Sequence, residues 1–325
     1  MAAVTITSGT VATTVLVNAQ TVSSAGQTLN SQSSRLAITT GIPDNDSFTV
    51  GAESLNIEGY DENNVSVQVT TLLADRFNNP VPDGTSVSFT TEGGSIGGSC
   101  LTEDGQCSVT FRSQNPKPSD GRVTILATAT GEESFTDQNG DGRHQENEGF
   151  TKDLPEAYRD DNENGQRDDD EPFLDFNDDQ QYTPGSGAFT GVLCDSGCDS
   201  SRPNTLNVRR NLVIVLSGSD LTISGPTAPI DLSDGTRDVT ITILDAQGQV
   251  PPQNTRINAT TDIGSIDEPS SYVQRSESRD PDTSPAVGRY TFRLRSGEEA
   301  GSGELSIVAT TPGGTISRAR FTVVQ

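Results

Sequence analysis

The sequence predicts an all-β protein built as two tandem β-sandwiches, the first carrying a long insertion in its last hairpin. Three observations lead there. Apolar residues alternate with polar ones at period two, as in Val65, Val67 and Val69, in Val239, Ile241 and Ile243, and in Val123 and Ile125. Thr, Val, Ser and Gly dominate, with one Met and no Trp, a mixture suited to thin β layers, whereas helical cores draw on Leu, Ala and Met. The chain also aligns on itself, and its 325 residues are a soft prior for about two domains.

The alignment fixes the repeat. Leu73-Ala74-Asp75-Arg76-Phe77-Asn78-Asn79-Pro80-Val81 shares its register with Ile243-Leu244-Asp245-Ala246-Gln247-Gly248-Gln249-Val250-Pro251. With no gap, Val87-Ser88-Phe89-Thr90-Thr91 falls over Ile257-Asn258-Ala259-Thr260-Thr261, and Gly94-Ser95-Ile96 over Gly264-Ser265-Ile266. Gly121 to Thr128 then corresponds to Gly303 to Thr310. A period-two run buries one face, so each sheet needs a second layer to cover it. The second copy, 218–325, is uninterrupted, and a Pro312-Gly313-Gly314 turn joins its last two strands. In the first copy, 31–217, the strand ending near Ala129 finds its partner only at Leu206-Asn207-Val208. The intervening insertion, 132–204, sits at a hairpin tip, where added length costs little because the strands still pair around it.

Asp75-Arg76-Phe77-Asn78-Asn79-Pro80-Val81, followed by Val87-Ser88-Phe89-Thr90-Thr91, resembles the bacterial immunoglobulin-like domain of the invasin and intimin type. That family's pattern runs Asp-x-x-Gly-Asn-Pro-Val and then a Val-x-Phe strand. Asn78 stands where the family usually has Gly, and the second copy keeps Asp245 and Gly248 but lacks Asn-Pro-Val. The resemblance covers about two-thirds of the chain. It implies tandem immunoglobulin-like sandwiches, a place on a bacterial surface protein as a rigid stalk or adhesive tip, and no catalytic residues.

Residues 1–30 match neither copy. They read as a linker, or as the last strand of a preceding domain spanning Val11 to Val17; a strand donated to a neighbour's sheet edge is the alternative. Leu36-Ala37-Ile38-Thr39 resembles Leu221-Thr222-Ile223-Ser224 and is expected to open the first domain. Met1-Ala2-Ala3-Val4-Thr5 lacks the basic and long apolar regions of a signal peptide. The chain is therefore expected to be cytosolic or a piece of a longer protein. Cys100 with Cys107 and Cys194 with Cys198 form two close pairs. Disulfides in that connectivity are favoured by adjacency, with zinc as the rival reading. Disulfides in turn favour an oxidising, extracellular setting and a fragment of a secreted or cell-surface protein.

The insertion carries the chemistry. Asp137, Asn139, Asp141, Gly142 and Glu148 fit the calcium-loop pattern D-x-[DN]-x-[DN]-G-x₅-E at every specified position, and Asp160, Asn162, Asn164, Gly165 and Glu171 fit it again. Calcium takes six to eight hard oxygens. Side chains at positions 1, 3 and 5 curl around it when residue 6 permits a sharp turn, the position-7 carbonyl of Arg143 or Gln166 adds another oxygen, and the position-12 Glu closes the site with two. Phe150 and Phe173 follow the two loops in phase, as anchors to a small core. A third start, Asp175, Asn177 and Asp179, has Gln180 in place of Gly and Ser186 at position 12. It is either incomplete or borrows a ligand from a neighbour. Beyond a short helical turn through Phe150, Leu154 and Tyr158, no flanking helices are expected, so the loops resemble those of dockerins and thrombospondin repeats. His144, the single histidine, falls at a position that usually faces solvent.

Charge sets the remaining limits. Asp and Glu number 46 against 21 Lys and Arg, for a net charge of −25, which repels nucleic acid. No apolar run approaches the length of a membrane span. With His144 a spacer inside the first loop, no other histidine remains for a Ser-His-Asp triad or a His-rich metal site, so an enzyme is not expected. Residues 132–182 hold eighteen acidic and four basic side chains, a density that self-repels unless cations neutralise it. Two calcium ions, with room for a third, are expected to order the insertion. The expected partners are calcium, neighbouring immunoglobulin-like domains or further copies of the chain, and host or cell-surface proteins or glycans. The expected function is a structural or adhesive surface segment. A carbohydrate- or protein-binding module using the insertion, and a filament subunit using residues 1–30 as donor strand, are the alternatives.

Overall fold

The computed structural model describes residues 13–34, 36–38, 41–150, 152–201 and 203–325. The chain is all-β, and its two sandwiches have the same topology. In the first, a five-stranded sheet runs in the spatial order Ser99–Leu101, Ser86–Thr91, Arg122–Gly131, Leu206–Leu216, Asn56–Ile57. It is covered by Phe48–Ala52, Ser66–Leu73, Gln106–Arg112 and Ser95–Ile96. The second repeats this strand for strand: Ser271–Val273, Arg256–Thr261, Ser302–Thr310, Ile316–Val324 and Ile230–Asp231 lie against Leu221–Ser224, Thr236–Asp245, Arg289–Arg295 and Ser265–Ile266. Each five-stranded sheet closes on a parallel pair, Val215 opposite Asn56 and Val323 opposite Ile230. These are tandem immunoglobulin-like sandwiches.

The period-two pattern explains the layers. Ser66–Leu73 turns Val67, Val69, Thr71 and Leu73 inward, and Arg289–Arg295 buries Tyr290, Phe292 and Leu294. Phe48, Phe111, Ile125, Ile214 and Leu216 fill the first core; Ile241, Ile243, Ile257, Phe292 and Leu294 fill the second. The aligned turn is reproduced atom for atom. Asp75 Oδ1 accepts the backbone N–H of Phe77 and Asn79 at 2.9 and 3.0 Å, and Asp245 Oδ1 accepts those of Gln247 and Gln249 at 3.0 and 2.7 Å. Asn78 takes φ 60° where Gly248 takes φ 80°. Asn tolerates this left-handed conformation better than other side-chain-bearing residues, so the turn forms with Asn78 at the step where the second copy has Gly248.

The N-terminal segment departs from expectation. Asn18–Val22 pairs with Thr28–Gln32 around a turn at Ser23–Gln27, and Thr13–Val15 pairs with Leu36–Ile38. Leu36–Ile38 therefore belongs to a ribbon rather than opening the first sandwich, and residue 31 falls inside that ribbon. The strand equivalent to Leu221–Ser224 is Phe48–Ala52. The short apolar Leu-Ala-Ile run matched the repeat by composition, but the Gly26 turn (φ 77°) folds its neighbours back locally. Val11 and Ala12, the start of the expected remnant strand, lie outside the described residues.

Arg122–Gly131 and Leu206–Leu216 pair continuously from Arg122 opposite Val215 to Gly131 opposite Leu206. The insertion leaves from the end of that hairpin. Leu154 roots it by joining the first sandwich's core. Among the described residues from Phe150 to Tyr158 the expected helical turn does not form. Phe150 instead bridges to Phe135 and Tyr158 to Phe173, because pairing the residues flanking each loop closes it more directly. Among the described residues no helix is long and apolar enough to cross a membrane.

Both disulfides form, Cys100 with Cys107 and Cys194 with Cys198, which removes the zinc reading. Cys100 and Cys107 lie on either side of the Glu103-Asp104-Gly105 turn, in strands that belong to opposite sheets. The bond therefore staples the sandwich across its edge.

Candidate metal-binding loops of the insertion

Each loop is organised by its first acidic residue. Asp137 accepts the N–H of Gly140 through Oδ1 and of Gly142 through Oδ2, both at 2.7 Å. Asp160 accepts those of Asn164 at 3.0 Å and Gly165 at 2.8 Å, and Asp175 those of Asp179 at 3.1 Å and Gln180 at 2.7 Å. Asn139, Asn162 and Asn177 accept from the backbone N–H two residues on, at 2.8, 3.1 and 3.0 Å. Asp141, Asn164 and Asp179 accept from Arg143, Gln166 and Gln181 at 2.8, 2.7 and 2.7 Å. Such side-chain acceptors curl the backbone in successive Asx turns.

The closing carboxylate shows the same regularity. Glu148 takes the N–H of Gln138 at 2.8 Å and of Gln145 at 3.1 Å, loop positions 2 and 9. Glu171 takes those of Asp161 at 2.7 Å and Asp168 at 3.0 Å, again positions 2 and 9. In the third loop the corresponding donors, Phe176 and Thr183, go to Glu156 at 2.9 and 3.0 Å. Ser186, the position-12 residue, bonds instead to Ala188. Gln180 adopts φ 61° where Gly142 and Gly165 take φ 80° and 79°. The third loop thus has the form of the other two, its last carboxylate supplied by the chain between the first and second loops. Sequence reading missed Glu156 because it precedes Asp175, outside any fixed spacing.

The donor set is hard oxygen throughout. Each ionised carboxylate has about four lone-pair sites, so Asp137 and Glu148, giving one per oxygen to backbone N–H groups, retain the others for a cation. Against this, Asn139 Nδ2 donates to Asp141 Oδ2 at 3.1 Å, and among the described residues no three His, Cys, Asp or Glu side chains converge into a metal-holding group. Amide and backbone oxygens fill part of each expected shell: Asn139 and the Arg143 carbonyl in the first, Asn162, Asn164 and the Gln166 carbonyl in the second, Asn177 in the third. The Arg143 N–H, followed by the Gln145 and Asn139 side-chain amide N–H groups, holds the Asp141 carboxyl below the usual range.

An aromatic cluster backs the first loop. His144, expected to face solvent, is 2% exposed. Its ring stacks on Phe189 at 4.4 Å between centroids and meets Phe135 edge-on at 5.2 Å. Nε2 lies 3.0 Å from the Glu148 carbonyl oxygen and Nδ1 3.1 Å from that of Ser196. The fully buried Phe189 and a bridge from His144 to Cys194 bring the Cys194–Cys198 disulfide against this cluster, and the Arg143 side chain pairs with Asp195. Burial is favourable for an imidazole whose face packs on aromatic rings and whose N–H has a backbone carbonyl to donate to, a tertiary effect that loop position does not reveal. Behind the second loop, Phe173 and Tyr158 both meet Tyr182, and Arg167 lies over the Phe173 and Tyr182 rings at 4.9 and 4.7 Å.

Two glutamates beside the hairpin fasten the insertion. Glu133 accepts the N–H of Leu154 at 2.6 Å and of Thr190 at 2.7 Å. Glu132 accepts that of Val192 at 2.9 Å, and burial pushes its carboxyl up to about 7.

No family model matches this sequence, and no curated protein does. Among solved structures, the chain is similar to the adhesin InvE of Yersinia pseudotuberculosis at 13% identity and TM-score 0.27, over 87% of this chain and 60% of that one. It is similar to the D0-D1 domain of intimin at 12% identity and TM-score 0.24, over 85% of this chain and 98% of that one. Invasin, described as a bacterial integrin-binding protein, follows at 14% identity and TM-score 0.26, over 92% and 44%. The chain thus spans 60% of the InvE structure and less than half of the invasin structure.

Proposed function

We propose that this chain is a non-catalytic structural or adhesive segment of a bacterial cell-surface or secreted protein, made rigid by calcium bound in its insertion. The observation that carries the calcium reading is the common form of the three loops. In each, a first Asp and a closing Glu take equivalent backbone N–H groups, while further side-chain oxygens line the turn between them. Asp137, Asn139, Asp141, Arg143 and Glu148 would hold the first ion. Asp160, Asn162, Asn164, Gln166 and Glu171 would hold the second, and Asp175, Asn177, Asp179 and Glu156 the third. A bound cation would supply neutralisation of charge that otherwise drives the insertion apart.

The adhesive, extracellular part of the reading is supported by two disulfides, which persist in oxidising compartments, and by the surface-protein pattern around Asp75–Val81. Limited proteolysis and circular dichroism, each in excess chelator and in millimolar calcium, test it. The reading requires cleavage confined to the insertion, 132–204, on chelation, with both sandwiches intact. Identical digestion in the two conditions would refute it.

A further inference from the structure

We propose that the second loop is a calcium-dependent strut across the joint between the two sandwiches, with Glu163 gripping Arg122. This rests on the calcium reading above. Arg122 opens the strand Arg122–Gly131 of the first sandwich, and its residue is only 6% exposed. Its Nε and Nη2 donate to the two carboxylate oxygens of Glu163 at 2.6 and 2.7 Å. The same guanidinium donates to Gln249 Oε1 at 3.0 Å and to the Ser278 carbonyl at 2.7 Å, both in the second sandwich. Gln249 is itself buried, in the turn held by Asp245. One cation is therefore shared by the first sandwich, the loop and the second sandwich.

Glu163 occupies position 4 of its loop, where all three loops take a left-handed backbone: Gly140 at φ 77°, Glu163 at φ 58° and Asp178 at φ 60°. A long side chain is disfavoured there, and this one reaches out of the loop to Arg122. Position 4 is not a side-chain ligand in the calcium pattern, so the contact is separable from metal binding. The loop also stands on the first sandwich through Thr124 Oγ1 to the Asp160 carbonyl at 3.0 Å and Arg159 Nη1 to the Thr91 carbonyl at 2.8 Å. Within its twelve residues it carries Asp160, Asp161, Glu163, Asp168, Asp169, Asp170 and Glu171. Without a cation these repel, the loop opens, and Arg122, at a buried position, keeps only neutral hydrogen-bond acceptors, with Asp280 and Asp120 as its remaining nearby charges. An arginine left without its counter-ion there destabilises the contact it serves. By reciprocity, whatever loosens the joint weakens calcium at this loop.

Hydrogen exchange of the segment Gln274–Arg279, together with calcium calorimetry, tests this on the full chain and on Glu163→Gln. In the unaltered chain, chelation is expected to speed exchange of that segment about tenfold, within the usual range of coupling between sites. In Glu163→Gln, exchange is expected to be fast in calcium as well, while calorimetry still counts the same number of ions. Slow exchange of the segment despite chelation, in a chain that does bind calcium, overturns the strut alone. So does a Glu163→Gln chain that remains protected in calcium. Absence of calcium heat from the unaltered chain overturns the calcium reading and the strut with it.

Discussion

Glu156 accepts the backbone N–H of Phe176 at 2.9 Å from outside the loop to which Phe176 belongs. Its other oxygen takes the N–H of Thr183, so one carboxylate spans the third loop as Glu148 and Glu171 span theirs. The structural requirement is a carboxylate between positions 2 and 9, whatever its place in the chain.

Glu156→Gln is expected to lower the calcium stoichiometry by one, read by calorimetry, because an amide presents one acceptor oxygen and cannot close the shell with two. Glu148→Gln and Glu171→Gln are expected to do the same at their own loops, and Ser186→Ala to leave the count unchanged. Loss of an ion with Ser186→Ala and retention with Glu156→Gln would reverse the assignment.

Phe189→Ala removes a fully buried ring stacked on His144. Large-to-small changes of this kind cost about 3–5 kcal/mol. The loss falls on the insertion, so more calcium should be needed to protect it from protease, while the melting of the second sandwich stays unchanged.

Glu132→Gln gives a pH signature. Burial raises the Glu132 carboxyl from 4.5 to about 7, so its favourable contribution is complete below about pH 4.5 and is lost as pH rises through about 7. Above that range the folded chain holds a buried carboxylate. The amide variant should therefore be more stable by up to about 3 kcal/mol at pH 8 and indistinguishable near pH 4. Thermal melts across that range, in calcium, measure the difference.

Replacing Cys100 and Cys107 by Ser opens a short loop between opposite sheets. On chain-entropy grounds the cost is about 2 kcal/mol, visible as a lower urea midpoint for the first sandwich. Fluorescence or exchange signals from the second sandwich should not move.

The fold was legible because its signals are local. Val67-x-Val69 and Val239-x-Ile241 declare a strand face, and Asp75 and Asp245 stand at the same step of the same turn. The form of the first two loops was legible for the same reason, since turn-forming side chains at fixed spacing need no tertiary knowledge. Glu156, His144 and the Glu163–Arg122 pair were not. Their roles depend on chain segments meeting in space, and nothing in residues 156, 144 or 163 taken singly marks which segment they meet. Leu36–Ile38 misled for the opposite reason: a three-residue apolar run fits many strands, and only its pairing with Thr13–Val15 decides among them.

The most direct test of the account is a crystal of the whole chain grown in millimolar calcium, with anomalous difference density computed at the three loops. The account predicts one peak bounded by Asp137, Asp141 and Glu148, a second by Asp160 and Glu171, and a third by Asp175, Asp179 and Glu156. Loops folded as described here with no peak in any of them would contradict it.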